Sequence, residues 1–383
     1  MGTSSAEAYD VVREIYFDNG ATTWQKPRSV TLAIESAMRR CANPGRGSHN
    51  LASAAAECVY DARSSIAEMF GGDLERVVFT LNATFALNYA IKGLVTDGCH
   101  ILIDNLCHNA VRRPVIALSE KRGCTFDFYD ATLCDDMLLS DIERRIRPNT
   151  ALVVATHQCN ISSNVLPIEK IGALCKNRGI HFVVDASQSA GHIPINVQRM
   201  NISALCMPGH KGLYGPMGVG VLVAGESVKF DTLVEGGVGI ASLDHGMPED
   251  LPDRLEAGTL PVPSIAGLAA GVRFVREVGT DAIHRHESAL SDALTRGLGE
   301  IGGVLLYGDI HGSNVSFTVD GYIPTDVGEY LSNHGIYVRC GYHCAPIAHR
   351  TLGSYDRGSV RVSFSYMNKM SEVERFLNVL EAL

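Results

Sequence analysis

From about Val77 onward, short apolar runs alternate with longer amphipathic stretches, which is the pattern of a mainly parallel sheet covered by helices. The predicted class is therefore α/β. Residues 76–80, 100–104, 125–129, 151–155, 181–185, 203–207 and 218–223 read as strands, with helical stretches between most of them. After Glu256 the pattern changes, because Pro261 and Pro263 interrupt the chain ahead of a long helix expected at 264–278. A second domain is expected to begin there, with a helix at 281–301, strands near Val304 and at 314–319, and a terminal amphipathic helix from Ser371. The chain shows no internal repeat, low-complexity tract or charged tail.

With 383 residues, 46% of them hydrophobic and 20% charged, the chain can bury a sizeable core and is long enough for two domains. A formal net charge of -9 gives no electrostatic reason to expect nucleic acid or an anionic membrane surface as partner, so a small-molecule substrate is the better expectation. The apolar stretches 218–224 and 265–275 are too short or too rich in Gly and Ala to span a bilayer. The opening MGTSSAEAYD has no basic segment followed by an apolar core, and Ala6 stands where a myristoylation signal requires Ser or Thr; a cytoplasmic protein is expected. Eleven cysteines without regular spacing do not form the framework of a small secreted domain. Most read as reduced core residues, and only Cys344 sits among residues that look arranged around it.

Four segments carry chemistry. In VVFTLNATFALNYAIKGL a strand runs into Asn82-Ala83-Thr84 and then a helix, whose first N–H groups lack internal partners and can hold an anion, with the Thr84 hydroxyl as a further donor. The plainer alternative is that Asn82 or Thr84 only caps the helix. In HFVVDASQSAG an apolar strand ends at Asp185, where ligands of open α/β sheets collect. A carboxylate there can pair with the protonated ring nitrogen of a pyridine cofactor, or merely cap the next turn.

In ALCMPGHKGLYGPMGVGVLVAG, Lys211 lies in a loop between two apolar strands, with Gly209, Gly212, Gly215 and Gly218 letting the backbone crowd a ligand. A partly desolvated amine has the lowered pKa that Schiff-base formation needs; a surface Lys on a hairpin is the alternative, and it leaves the Gly density and His210 unexplained. In VRCGYHCAPIAHR, Cys344 has His343 and Arg339 nearby, and adjacent positive charge favours the nucleophilic thiolate. The rival is a zinc site of Cys340, His343 and Cys344, which lacks a fourth ligand and the usual paired spacing.

With Asp185, Gly209-His210-Lys211 and Arg339 to Cys344 in that order, the chain resembles the class V aminotransferase superfamily and, within it, the cysteine desulfurases. The resemblance runs nearly end to end, from Tyr16-Phe17-Asp18-Asn19-Gly20-Ala21-Thr22-Thr23, close to the family's YLDNAATT, to Ser359-Val360-Arg361-Val362-Ser363-Phe364. The short loop RCGYHCAP is similar to the branch whose catalytic Cys lies on a compact, ordered segment. The resemblance implies fold type I of the pyridoxal-phosphate-dependent transferases: a large domain with a mainly parallel seven-stranded sheet (15–256) and a smaller α+β C-terminal domain (257–383) carrying the Cys loop, with 1–14 packing on it.

It also implies roles. Lys211 would hold pyridoxal 5'-phosphate as a Schiff base, Asp185 would pair with the pyridinium nitrogen, and His108 would stack on the ring and join in catalysis. Asn160 and Gln188 would hydrogen-bond the ring hydroxyl; Thr84, the Ala83 backbone and His210 would hold the phosphate, with Thr259 reaching in from the other subunit of a homodimer. Arg361 would bind the substrate carboxylate, with Asn19 and Arg339 beside it. On the residues alone, His108 and His157 remain possible core histidines and Arg361 a possible structural ion pair. The chain departs from the family at Phe85 (usually Glu), Pro208 (usually a phosphate-binding Ser or Thr) and Ser163-Asn164 (usually Gly-Thr), and reads LPVPS after EAGT.

The expected reaction is conversion of L-cysteine to L-alanine, with sulfur left on Cys344 as a persulfide and then passed to an acceptor thiol or sulfur-acceptor protein. Selenocysteine could follow the same path. A C–S β-lyase or aminotransferase of the same superfamily is the neighbouring alternative, and a non-catalytic binding protein on the same fold the remote one.

Overall fold

The computed structural model describes residues 14–45, 47–240, 243–308 and 312–383. Except for Glu14, the segment expected to pack as residues 1–14 lies outside the described residues. In chain order the strands are β1 (Ile15–Tyr16), β2 (Val77–Thr80), β3 (His100–Asp104), β4 (Thr125–Tyr129), β5 (Thr150–Thr156), β6 (His181–Asp185), β7 (Ala204–Pro208), β8 (Gly220–Ala224), β9 (Val304–Tyr307), β10 (Asn314–Val319), β11 (Ile336–Tyr337), β12 (Arg339–Gly341) and β13 (Ser359–Ser363). The helices are α1 (Arg28–Arg40), α2 (Asn50–Phe70), α3 (Ala83–Gly93), α4 (Asn109–Arg122), α5 (Asp135–Arg145), α6 (Ile168–Arg178), α7 (Val262–Val278), α8 (Thr280–Glu300), α9 (Pro324–Asn333), α10 (Pro346–Thr351) and α11 (Met370–Glu381).

The apolar runs of the first half make one sheet, ordered β2-β8-β7-β6-β5-β3-β4 among the described residues. β8 is antiparallel to both neighbours and every other pair is parallel, as the sequence pattern predicts. These strands read as continuous apolar runs because both faces are covered. Alternate side chains split between two cores: Val153, Phe182, Val184, Leu205 and Val221 face one side. Leu152, Val154, Val183, Cys206 and Leu222 face the other, beneath α3 and α4. All the parallel strands then discharge their carboxyl ends at the same edge, where Thr156, Asp185 and Pro208 sit.

The second sheet is antiparallel, ordered β12-β13-β10-β9, and its core takes Leu290, Leu294, Val327, Val373 and Phe376 from the helices over it. The two cores do not part at residue 257. Helix α7 buries Ile265, Leu268 and Val272 in the core of the large sheet. Ile15 and Phe17 bury instead with the small sheet, because β1 pairs with β11 in parallel. The first described strand therefore buries with the small sheet, and after the proline break the chain contributes to the core of the large sheet at α7 and again at Ala345 and Ala348.

The seam is hydrogen-bonded. The Ser163 hydroxyl donates to the Asn314 carbonyl (2.9 Å) and accepts from its N–H (3.0 Å), while the Ser316 hydroxyl donates to Ile161 O (2.7 Å). Ser163, one of the departures from the family pattern, thus fastens a large-domain loop to β10.

Gly220 shows how closely the sheet is built under the start of α3. A Cβ at this position would lie 2.5 Å from the Asn82 carbonyl carbon and 2.9 Å from Ala83 N. Gly220→Ala is therefore expected to displace the entry to α3 and to cost about 1–3 kcal/mol, as overpacking against backbone does. Chemical denaturation checks this; an unchanged midpoint would mean the segment yields freely.

Candidate active site

At the carboxyl ends of the sheet strands, a cavity of about 310 Å³ lies between the large-domain loops and the small sheet. Ten of the residues singled out from the sequence line it: Ala83, Thr84, His108, Asn160, Asp185, Gln188, His210, Lys211, Arg339 and Arg361. Three do not, namely Asn19, Thr259 and Cys344.

Ala83 and Thr84 form the first turn of α3, capped by Asn82, whose side chain accepts from Phe85 N (3.1 Å). Asn82 therefore takes the capping duty, and the Thr84 hydroxyl belongs to the cavity wall. Phe85 turns outward, 38% exposed, and Pro208 lines the cavity without offering a hydroxyl.

Asp185 ends β6 and is buried, accepting from Ser187 N at 2.9 Å. Lys211 follows β7 in a loop pinned from the N-terminal motif. Thr23 Oγ1 donates to the carbonyls of His210 (2.9 Å) and Lys211 (3.0 Å), and Lys26 Nζ donates to His210 O (2.9 Å). At Gly212 any Cβ would meet Ala190 O at 2.4 Å, so the loop lies directly against the turn that follows Asp185. Desolvation, then the charge of Arg361, pulls the Lys211 amine down to about 8, against the opposing pull of Asp185.

His108 caps α4: its Nδ1 accepts from Ala110 N (3.0 Å), which places the proton of the neutral ring on Nε2. Burial lowers its pKa to about 4 despite nearby Asp185, so the ring is neutral at physiological pH. Arg361, on β13, is fully buried. Its Nη2 donates to Asp18 Oδ1 (2.9 Å) and its Nη1 to Asn160 O (3.1 Å). Arg361 is thus a structural ion pair that also lines the cavity.

Four buried polar atoms of the cavity-lining residues have no protein partner: Gln158 Nε2, Asn160 Oδ1, His210 Nδ1 and Arg361 Nε. Buried polar groups are satisfied nearly everywhere in proteins, so four around one cavity mark the seat of a polar ligand. Asn160 is held by Nδ2 donating to His343 O (2.9 Å), which leaves Oδ1 free to accept. Gln188 donates instead to Gly20 O (3.0 Å). His157 donates or accepts at Ser189 Oγ (2.8 Å) and is a buried core histidine.

The loop after β12 carries two consecutive non-glycine residues in the left-handed region, His343 (φ 50°) and Cys344 (φ 57°). Such conformations persist only where the surroundings enforce them. Here Asn160 holds the His343 carbonyl, Asn109 N donates to the Cys344 carbonyl (2.8 Å), and Ala345 is fully buried. Cys344 itself is exposed. It lines a second cavity, of about 300 Å³, that shares Thr84, His108 and Ala110 with the first.

His343 does not supply the expected positive charge beside Cys344. Burial, then the charge of Arg361, holds its pKa well below the ordinary value, and its Nδ1 faces His349 Nε2 at 3.4 Å. Arg339, lining the first cavity, is the cation that remains of that pair. The zinc alternative fails on placement: Cys340 is half-buried against Gly328, His343 is buried, Cys344 is exposed, and no three metal-ligating side chains cluster among the described residues.

Thr259 lines a separate cavity with Arg63 and Glu256, so a role at a phosphate requires a second copy of the chain. The Asn19 amide is spent on Tyr16 O (3.2 Å), Ser363 O (3.1 Å) and Asn368 Oδ1 (3.1 Å), beside the cavity and not on its wall. Sequence reasoning missed Asp18, Thr23 and Lys26, although all but Lys26 lie in the quoted opening motif; it also missed Thr156 and Gln158, which end or follow a strand already recognised.

A parallel sheet with a lysine loop and an acidic strand end around one polar cavity defines a class, and the comparisons give it a family. The chain belongs to the class V aminotransferases, whose pattern matches residues 15–376. It is 34% identical to a protein of Pyrococcus abyssi described as a probable cysteine desulfurase, over 96% of this chain and 94% of that one. A protein of Mycolicibacterium paratuberculosis with the same description is 33% identical over 96% of this chain and 55% of its own longer one. Among solved structures, the apo cysteine desulfurase of Thermococcus onnurineus superposes with a TM-score of 0.89 at 36% identity, covering 96% of this chain and 94% of that one.

The Asp18 pairing yields a test. Asp18→Asn leaves the Arg361 guanidinium buried without its counter-charge, a loss expected to cost about 3 kcal/mol, part of which a carboxylate ligand bound in the cavity should restore by supplying the missing negative charge. Thermal unfolding of the variant, with and without a carboxylate ligand, measures both; unchanged stability would show that Asn160 alone suffices.

Proposed function

We propose that the chain is a pyridoxal-phosphate-dependent cysteine desulfurase that converts L-cysteine to L-alanine and takes the sulfur onto Cys344. The observation that carries this is the set of four unpartnered polar atoms around a cavity that also holds Lys211 and Asp185, with an exposed cysteine on the adjoining wall. The residues fit the cofactor. Asp185 would pair with the ring nitrogen, Asn160 Oδ1 would accept from the ring hydroxyl, and Ala83, Thr84 and His210 would hold the phosphate at the start of α3. Thr259 would reach the cavity of a second copy in a homodimer. Among the described residues no helix is long and apolar enough to cross a membrane, and eleven unpaired cysteines fit a reducing compartment, so we place the enzyme in the cytoplasm.

When bound, the cofactor supplies an electron sink for the charge that develops at the substrate Cα. Arg361 and Arg339 bind the substrate carboxylate and so orient the Cα proton. Lys211, with an amine near 8, is neutral in on the order of one molecule in ten at pH 7 and can take that proton. Neutral His108 carries its proton on Nε2, from which it can donate a hydrogen bond to a bound substrate. The Cys344 thiolate attacks the substrate sulfur; the S–S bond forms as the C–S bond breaks, the electron pair released to Cβ takes up a proton, and Lys211 returns a proton to Cα to complete alanine.

Two outcomes are expected. Lys211→Ala loses the visible absorbance of bound cofactor, whereas Cys344→Ala keeps it and releases no sulfide from cysteine; alanine, sulfide and pyruvate are assayed together. Full sulfide release by Cys344→Ala rejects the persulfide route, and pyruvate in place of alanine marks a β-lyase. The rate of cofactor capture by apo-protein should rise with pH as Lys211 loses its proton and level off above about 8. A rate still climbing toward the ordinary lysine value of about 10.4 would contradict the lowered amine pKa.

A further inference from the structure

The second cavity is the groove between α3 and α4, and its form indicates what leaves with the sulfur. Thr84, Asn88 and Lys92 stand four residues apart on one face of α3, and Asn109, Arg113 and Ala117 do the same on α4. At one end are Thr84, His108 and Cys344; Arg113 stands one turn further along α4, and Lys92 lies at the far end of the α3 wall. The eight residue steps from Thr84 to Lys92 span about 12 Å along the helix axis, and both cations are long enough to reach partway back. Among the described residues no carboxylate lines the groove, although the whole chain carries a formal net charge of -9. Pro114 and Ala117 give it an apolar wall.

Resting on the reading of Cys344 as the sulfur carrier, we propose that this groove is the seat of the sulfur acceptor, and that the acceptor is a small thiol bearing carboxylates several bonds away from its sulfur. A volume of about 300 Å³ suits a small molecule. A stable protein partner would need on the order of 1,000 Å² of complementary surface. Lys92 and Arg113 attract the carboxylates, and the thiol end lies beside Cys344. The acceptor thiolate attacks the outer sulfur of the Cys344 persulfide. A new S–S bond forms on the acceptor, the S–S bond to Cys344 breaks, and Cys344 leaves as thiolate with the electron pair. The acceptor departs as a persulfide, with no external oxidant or reductant required.

The test uses holoenzyme loaded with cysteine in a single turnover and then freed of substrate. Discharge of Cys344 is followed by mass spectrometry with two probes that share one thiol and differ in charge, glutathione and glutathione diethyl ester, and rates are expressed per persulfide present. The wild type is expected to discharge to glutathione at least about tenfold faster than to the ester at low salt, with the preference shrinking as salt screens the cations. Lys92→Ala/Arg113→Ala should bring the two rates within about twofold, mainly by slowing glutathione. Arg113 is exposed, so Arg113→Ala alone serves if the double variant does not fold. Equal rates for the two probes in the wild type, or a preference that survives in the variants, overturns the acceptor site while leaving the persulfide intact. If no added sulfur is found on Cys344 at all, the parent reading falls and the acceptor site with it.

Discussion

The structure depends most on one buried guanidinium. Arg361 sits on the small sheet, yet its hydrogen bonds go to Asp18 of the N-terminal segment and to the backbone of Asn160 in a large-domain loop. Burying a charge is tolerable only when it is paired and hydrogen-bonded, so this residue obliges three separate pieces of chain to meet at one point. That point is the wall of the cavity. Asn160 then passes the constraint on through His343 to the cysteine loop. The cationic end of the site and the position of the exposed thiol are thus fixed by the same few contacts.

Much of this was legible in the sequence because buried parallel strands leave little choice of residue. The runs ending at Asp104, Tyr129 and Asp185 lie where the apolar pattern puts them. The paired two-residue strands β1 and β11, and three-residue β12, escaped because no periodicity develops over so few positions, and their pairing is set by tertiary packing. Pro261 caps α7 but Pro263, expected to lie ahead of the helix, sits in its first turn, and the helix packs back on the large core: the prolines mark where a helix starts and carry no information about which core its apolar face will join.

The candidate site was legible through residue order, and its internal wiring was not. Asp185, Lys211 and Cys344 stand out because a carboxylate, an amine and a thiol sit beside apolar strands or small residues. Asp18 and Thr23 look like turn residues in an N-terminal motif, and only the fold shows one holding Arg361 and the other the lysine loop. His343 shows the reverse error. A histidine next to a cysteine suggests a charge, but burial keeps this one neutral.

The cysteine loop is clamped through the main-chain carbonyls of His343 and Cys344 and through the buried His343 ring, while the Cys344 side chain is exposed. The anchor and the cargo hook are therefore separate parts of one residue. Gaining or shedding a passenger atom at the thiol strains no hydrogen bond that shapes the loop, so the empty and laden forms can share one backbone.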